Sequence, residues 1–268
     1  GKIAKPKFSS LRLDLKGIYY MPSVIKAAKL GDAAIIKSII KVFDSNKYIL
    51  NNEVEEIENE FSKFIGTKYS LGVANGTEAL EIALKTLNIA RGDEVITVAH
   101  TAPATISAIY SVGAKPVLVD IEDQFYTLNS NLLEKAITKK TKCLILVHLY
   151  GMVADVEKIK KICKKNSIYL IEDASQAHGS LYNKKRIGSF GDIGCFSCYP
   201  TKNLGAVGDA GLIVTNSKQN YNKMKMLRQY GWDKNKIVNF PGQNSRLDEL
   251  QATILRVKLK YLDKDNSL

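Results

Sequence analysis

The sequence predicts an α/β fold in which helices cover both faces of a mostly parallel sheet. Short apolar runs rich in β-branched residues recur along the chain, and helical patterns lie between most of them. Strands that are apolar on both faces are typical of parallel sheets buried between helices. Ligands of such sheets bind at the carboxyl ends of the strands, so the polar residues that close each strand are the first candidates for a site.

The predicted elements follow one another from residue 33 onward. A helical pattern at 33–42 lies in an N-terminal arm, and an amphipathic helix at 55–64 begins the regular alternation. Apolar residues spaced three and four apart predict further helices, at 76–87, 104–112, 131–137, 156–165 and 247–262. The apolar runs predict strands at 95–99, 116–121, 143–149, 169–172, 194–197 and 211–215.

Composition excludes several classes of protein. The chain has 268 residues, 45% hydrophobic and 25% charged, which is too apolar for a disordered chain and too poor in cysteine for a disulfide-stapled miniprotein. Mean hydropathy is −0.12, and no apolar run reaches the roughly 18 residues that span a bilayer. The basic start has no apolar stretch after it, which argues against a signal peptide. We therefore expect a cytoplasmic protein without a membrane partner.

The chain is strongly basic, with 39 Lys and Arg against 27 Asp and Glu and a net charge of +12. Its densest lysine runs, at 139–142, 160–165 and 184–186, lie far apart in predicted turns or exposed helix faces. This scatter argues against nucleic acid as a partner. Two interpretations stay open: a solvated surface, or a field that attracts a phosphorylated substrate.

The pair Cys195 and Cys198 has the spacing of a redox or zinc motif. Zinc would need a second pair of ligands at suitable spacing, which the sequence does not show. A redox pair should open a helix, whereas residues 193–199 resemble a buried strand. We therefore predict two buried thiols and no metal site.

Three features at predicted strand and helix ends could hold a ligand. Gly76 and Thr77 begin a helix, where free N–H groups bind anions, although an ordinary N-cap has the same residues. Asp173 closes an apolar strand and could pair with a protonated ring nitrogen, although a capped loop is the alternative. Lys202 follows a buried strand, where desolvation favours imine formation, although a surface lysine is equally simple. Together the three match the groups by which pyridoxal phosphate is bound: its phosphate, its ring nitrogen and its aldehyde.

The segments that carry these features also carry a family resemblance. They read GTEAL at 76–80, EDASQAHG at 172–179, GD at 191–192, FSCYPTKNL at 196–204 and NSRLDELQA at 244–252. In this order they resemble the DegT-type sugar-nucleotide aminotransferases, over residues 46–266. The resemblance implies the aspartate-aminotransferase fold, which is the type I fold of pyridoxal phosphate enzymes.

The resemblance also implies residue roles. Lys202 would form the imine with pyridoxal phosphate and carry the proton, Asp173 would hold the ring nitrogen, and Gln176 would bond the ring hydroxyl. The implied reaction is transamination from L-glutamate to a nucleotide-linked keto-deoxy sugar, for surface glycan or antibiotic sugar biosynthesis.

Further roles concern the cofactor phosphate. The resemblance implies that Gly76, Thr77 and Ser197 bind it within one chain. Asn244 would reach the phosphate of the neighbouring subunit, so the protein would be a homodimer with shared active sites.

The segments at 227–232 and 244–252 look most like enzymes that aminate C3 of a TDP-linked 3-keto-6-deoxyhexose. C4-aminating relatives share the fold and most motifs, and a truncated non-catalytic paralogue is a further alternative. Relatives that act as sugar dehydratases carry histidine in place of the lysine, so Lys202 argues against that activity.

The chain departs from the family pattern in two places. Many relatives have an aromatic residue that stacks on the cofactor ring where this chain has Ala102, so we expect His100 to stack there or nothing to do so. Relatives also continue beyond the position of Leu268 into a smaller domain. We therefore divide the chain into an arm and helix at 1–50, a cofactor-binding domain at 51–245 and the start of a connection to a small domain at 246–268.

Overall fold

A computed structural model describes residues 22–268, with side chains from residue 33 onward. The predicted arm at 1–50 thus lies partly outside the described residues. The helices are α1 (Pro22–Ser45), α2 (Asn52–Ile65), α3 (Gly76–Thr86), α4 (Pro103–Ser111), α5 (Ser130–Ala136), α6 (Val156–Lys165), α7 (Lys218–Leu227), α8 (Glu249–Leu259) and α9 (Leu262–Asn266). The strands are β1 (Tyr69–Val73), β2 (Glu94–Thr97), β3 (Lys115–Leu118), β4 (Thr141–Val147), β5 (Tyr169–Asp173), β6 (Leu181–Tyr182), β7 (Lys185–Arg186), β8 (Ile193–Ser197) and β9 (Gly211–Thr215).

Seven strands form one sheet in the order β1-β9-β8-β5-β4-β2-β3. Strands β8, β5, β4, β2 and β3 pair in parallel, and β9 runs antiparallel to both of its neighbours. The short strands β6 and β7 form a separate antiparallel pair. The prediction of a mostly parallel sheet is confirmed. Because β4, β5 and β8 are neighbours, the polar residues after them meet at one edge of the sheet.

The central strands are buried on both faces, as their apolar sequence predicts. In β4 the side chains of Leu144, Ile145 and Leu146 are fully buried. Burying one such side chain stabilises the fold by about 1.5–3 kcal/mol. Helix α6 covers the sheet with Ile159 and Ile162 and turns its lysines outward. The sheet is therefore a rigid support for the loops at its carboxyl edge.

Several elements differ from the sequence prediction, among them the short strands β6 and β7, which were not predicted. Strand β1 and helix α7 were not predicted, because β1 contains Ser70 and Gly72 and α7 is mostly polar. The predicted helix at 247–262 is two helices, α8 and α9. Gly72 lets the segment that precedes α8 approach β1, since a Cβ there would lie 2.8 Å from the side chain of Leu247.

Helices α8 and α9 pack on the same core as the sheet. Leu255, Leu259 and Leu262 belong to the main hydrophobic cluster. The buried carboxylate of Glu249 accepts backbone N–H bonds of 2.7 Å from Asn51, 2.9 Å from Glu53 and 3.1 Å from Val54. It therefore caps α2, where the helix dipole favours a negative charge.

The four cysteines are free and buried, which confirms the prediction of buried thiols at Cys195 and Cys198. Burial raises the pKa of Cys198 to about 12, so this thiol stays protonated. Between residues 22 and 268, no group of three or more His, Cys, Asp and Glu side chains is arranged to hold a metal ion. Over the same residues, no helix has both the length and the apolar character that crossing a membrane requires.

Candidate active site

A cavity of about 500 Å³ lies at the carboxyl ends of β4, β5 and β8. Most of the predicted site residues line it: Gly76, Thr77, Asp173, Gln176, Ser197 and Lys202. Four carboxylates and one lysine are on its wall, the carboxylates being Glu78, Glu81, Asp173 and Asp209. The positive surplus of the chain is therefore not concentrated in the described wall of the cavity.

Helix α3 points its N-terminus at this cavity. Asn75 caps it by accepting a 2.9 Å bond from the N–H of Glu78 through its side chain. The N–H groups of Gly76 and Thr77, both on the cavity wall, precede this cap bond and suit an anionic ligand. A Cβ on Gly76 would lie 2.5 Å from the Cβ of Ser197, so only glycine lets the two segments meet. The result is a cradle of N–H groups and one hydroxyl that fits a phosphate.

Asp173 ends β5 with its carboxylate 5% exposed and fixed from two sides. Its Oδ2 accepts a 2.8 Å bond from the hydroxyl of Thr105, and its Oδ1 accepts a 3.2 Å bond from the N–H of Ser175. A buried carboxylate held in this way can pair with a protonated ring nitrogen. This arrangement fits the heterocycle expected from the sequence.

Lys202 lies half-buried at the cavity wall, in the loop between β8 and β9. Burial lowers the pKa of its amine, and the negative charge of Asp173 partly opposes this effect. A larger fraction of neutral amine at neutral pH makes Lys202 a better nucleophile toward an aldehyde than a surface lysine. The simpler interpretation, a solvated loop lysine, does not fit this position.

The rest of the segment 172–179 is divided between the cavity and the core. Gln176 lines the cavity and accepts a 3.1 Å bond from the N–H of Tyr150 through Oε1. Glu172 points the other way and accepts three N–H bonds from residues 188–191, at 2.7 to 2.9 Å. Burial alone would raise the pKa of Glu172, but hydrogen bonds from His148 and the backbone bring it below its ordinary value. Glu172 thus anchors a loop rather than a ligand.

His178 is buried and has no hydrogen-bond partner at either ring nitrogen within residues 22–268. Its ring lies 5.4 Å from that of Phe196, between centroids. Burial, followed by the nearby charge of Lys202, lowers the pKa of His178 to about 3. The imidazole is therefore neutral at physiological pH and contributes no charge beside the lysine.

Two predicted residues lie away from this cavity. Over the described residues, the wall includes Ala102 but not His100, whose ring lies 5.9 Å from Tyr150 and 6.2 Å from Tyr126. His100 follows the end of β2 by three residues and is exposed, so its role as a stacking residue stays a prediction. Asn244 is also exposed and outside the wall of its own chain, in an isolated bridge with Gln229.

Sequence reasoning missed three residues of the site. His148 follows β4 directly and lines the cavity, so the rule applied to β5 would have found it. Asp209 also lines the cavity, and it lies between Gly208 and Gly211, where no sequence pattern predicts a ligand. Thr105 gives no signal in the sequence, because only the packing of α4 on α3 and β3 brings its hydroxyl to Asp173.

This geometry agrees with comparisons to known proteins. The DegT/DnrJ/EryC1/StrS aminotransferase family matches residues 30–267. A dTDP-3-amino-3,6-dideoxy-alpha-D-galactopyranose transaminase of Aneurinibacillus thermoaerophilus is 47% identical over 232 residues, which cover 87% of this chain and 64% of that protein. A UDP-N-acetyl-3-dehydro-alpha-D-glucosamine 3-aminotransferase of Acidithiobacillus ferrooxidans is 44% identical over 228 residues, which cover 85% of this chain and 62% of the relative.

A solved structure supports the same family assignment. S. venezuelae DesV in complex with a ketimine intermediate superimposes with a TM-score of 0.87 at 40% identity, covering 90% of this chain and 65% of that one. The chain thus spans less than two thirds of the length of these relatives. The fold is the type I fold of pyridoxal phosphate aminotransferases, as expected. From the extent of these matches, the chain belongs to the DegT/DnrJ/EryC1/StrS aminotransferase family.

Proposed function

We propose that this protein binds pyridoxal phosphate in the cavity and transfers an amino group from L-glutamate to C3 of a nucleotide-linked keto-deoxy sugar. One observation carries the proposal: Lys202 and Asp173 line a single cavity together with the N-terminus of α3. A lysine for the aldehyde, an acid for the ring nitrogen and N–H groups for the phosphate are what this cofactor needs.

When bound, the cofactor supplies an electron-accepting ring that stabilises negative charge on a carbon bearing an amine. The chain supplies positioning and protons. Gly76, Thr77 and Ser197 bind the phosphate. Asp173, held by Thr105, keeps a proton on the ring nitrogen.

Two further side chains act at the ring and at the reacting carbon. Gln176 lies on the wall beside Lys202 and orients the ring through its hydroxyl. The Lys202 amine would hold the aldehyde of the cofactor, and its Nζ would be the group that accepts and returns the proton which the transfer requires. Its lowered pKa keeps enough neutral amine for that task.

The protein acts as a homodimer with shared sites, and Asn244 reaches the phosphate of the partner. The exposed position of Asn244, outside the cavity of its own chain, supports this assignment. L-Glutamate as amino donor rests on the family resemblance.

The names of the relatives support C3 as the position of amination. One relative is named for a dTDP-linked sugar and the other for a UDP-linked sugar, so both nucleotides are included in the test. A shift of the carbonyl by one carbon moves the reacting atom by more than an ångström, which can cost about 10²-fold in rate. We therefore expect discrimination between keto isomers in kcat/KM.

The experiment has two stages. First, the protein is incubated with pyridoxal phosphate and reduced with borohydride, and peptide mass spectrometry should locate the cofactor on Lys202. Lys202→Ala should lose the adduct, and exposed Lys260→Ala should retain it. An adduct on other lysines alone would exclude the proposed cofactor site.

Second, glutamate is offered with 3-keto and 4-keto 6-deoxyhexoses linked to TDP or UDP, and NMR reads the product. A 3-amino sugar is expected. A 4-amino product would show that the alternative position is correct. Loss of a hydroxyl without amination would identify a dehydratase, and an adduct at Lys202 without turnover would favour a non-catalytic relative.

A further inference from the structure

The loop that carries Lys202, residues 198–210, connects β8 to β9; we call it the lysine loop. Its ends are joined to each other, because the N–H of Cys198 donates a 2.8 Å bond to the carbonyl of Ala210. The N–H of Lys202 donates a 2.9 Å bond to the carbonyl of Tyr199. These bonds shape the part of the loop that precedes the lysine. The part that follows it is held from within by a 2.8 Å bond from the N–H of Ala206 to the carbonyl of Cys198, and from outside by side chains of other elements.

Gln251 on α8 holds the lysine loop at Val207. The N–H of Val207 donates a 2.9 Å bond to Oε1 of Gln251, and Nε2 of Gln251 donates a 3.3 Å bond back to the carbonyl of Val207. One amide side chain thus satisfies both backbone groups of a residue, as a neighbouring strand would. Gly208 leaves room for it, since a Cβ there would lie 3.0 Å from Nε2 and φ is +152°.

Two more side chains hold the loop at alternate residues. The ammonium of Lys258 on α8 donates a 2.6 Å bond to the carbonyl of Gly205, and burial lowers the pKa of Lys258. Asn266 on α9 accepts a 2.8 Å bond from the side chain of Asn203 through Oδ1. Its Nδ2 donates a 2.7 Å bond to the carbonyl of His178. Asn266 therefore also joins the lysine loop to the segment after Asp173.

Helix α8, which carries Gln251 and Lys258, is also fixed by contacts that do not involve the loop. Arg256 on α8 forms ion pairs of 2.8 Å with Glu53 and Glu60 on α2. Over the described residues, the hydrogen bonds and ion pairs of the Arg256 side chain go to α2 and not to the lysine loop, so they hold α8 independently of the loop. The lysine loop is thereby held between the end of β8 and α8.

We propose that Gln251, Lys258 and Asn266 are positioning residues that fix where the Lys202 amine lies in the cavity. The proposal rests on the proposed function, in which Lys202 is the cofactor lysine. Its physical reason is that a misplacement of about 1 Å at a reacting group can cost about 10²-fold in rate. A lysine on a long flexible stem needs a fixed backbone to avoid such a loss.

Gln251→Ala tests this proposal, with Arg256→Ala as the matched variant on α8, because the Arg256 side chain bonds to α2 instead of the lysine loop. Acylation of Lys202 by acetic anhydride is followed by peptide mass spectrometry as a function of pH, without cofactor. A loosened loop lets water reach the amine, so its pKa should rise toward the ordinary value. The midpoint of Lys202 acylation should move to higher pH in Gln251→Ala and stay at its wild-type value in Arg256→Ala.

An equal shift in Arg256→Ala and Gln251→Ala would mean that general loosening of α8 is responsible, and would overturn the proposal. An unchanged midpoint in Gln251→Ala would also overturn it. Because the assay needs no cofactor, failure of wild-type Lys202 to bind pyridoxal phosphate would refute the proposed function separately.

Discussion

Thr105 donates a 2.8 Å hydrogen bond from its hydroxyl to Oδ2 of Asp173, and this bond joins helix α4 to the end of strand β5. The hydroxyl of Thr101 lies 2.8 Å from that of Thr105. Since the proton of Thr105 goes to the carboxylate, Thr101 is the donor in the second bond. A chain of two hydroxyls thus fixes the acid that the proposed function assigns to the cofactor ring.

Replacement of Thr105 by valine removes the hydroxyl at nearly constant volume. Oδ2 of Asp173 then loses its partner in a buried place, which costs about 1–3 kcal/mol of the free energy of unfolding. Urea unfolding of the cofactor-free protein measures this loss, and Thr105→Ser is the control that keeps the hydroxyl. Equal stability of the valine and serine variants would contradict the role of the bond.

Gly76→Ala tests the contact between α3 and β8. The new Cβ meets the Cβ of Ser197 at 2.5 Å, and overpacking of this kind costs about 1–3 kcal/mol. The affinity for pyridoxal phosphate should also fall, because the two segments that form the phosphate cradle move apart. Unfolding and cofactor titration measure both effects. Addition of Ser197→Gly should recover part of the stability, and strictly additive losses would show that the two residues do not collide.

His178 predicts a pH dependence of stability. Its pKa is about 3 in the folded protein against an ordinary value of 6.5. Between these two pH values the unfolded chain binds a proton at His178 that the folded chain does not bind. Stability is therefore unaffected by this group above about pH 6.5 and declines as the pH falls toward 3, by up to about 1.4 kcal/mol per unit. Urea unfolding between pH 7 and pH 5 measures the slope. In His178→Gln the slope should be smaller, and an unchanged slope would exclude His178 as its source.

Asn244 offers a test of the shared site. Lys202→Ala and Asn244→Ala subunits should each be inactive, and a mixture should regain activity. In a random equal mixture of symmetric dimers about half are heterodimers with one intact site of two, so about one quarter of wild-type activity is expected. Mass spectrometry verifies the heterodimers. Verified heterodimers without activity would show that Asn244 does not serve the partner's site.

Much of the cavity wall could be predicted because its residues stand at the ends of strands and helices that have a clear apolar pattern. Asp173 and Lys202 follow apolar strands, and Gly76 begins a helix with a clear apolar face. His100 shows the limit of this reasoning. Proximity to a strand end along the sequence does not say which way a loop residue turns, and this ring turns toward Tyr126 and Tyr150.

The sequence by itself determined the alternation of strands and helices, the edge of the sheet at which polar residues gather, and the presence of Asp173 and Lys202 at that edge. Local pattern is enough for these, because the hydrophobic effect acts on each segment's own periodicity. Only the tertiary structure decided that Thr105 holds Asp173 and that Gln251 holds the lysine loop. Such bonds join residues far apart in the chain, and no local preference encodes them. They exist because the packing of α4 on α3 and β3, and of α8 on α1 and α2, places each side chain within hydrogen-bond distance of its partner.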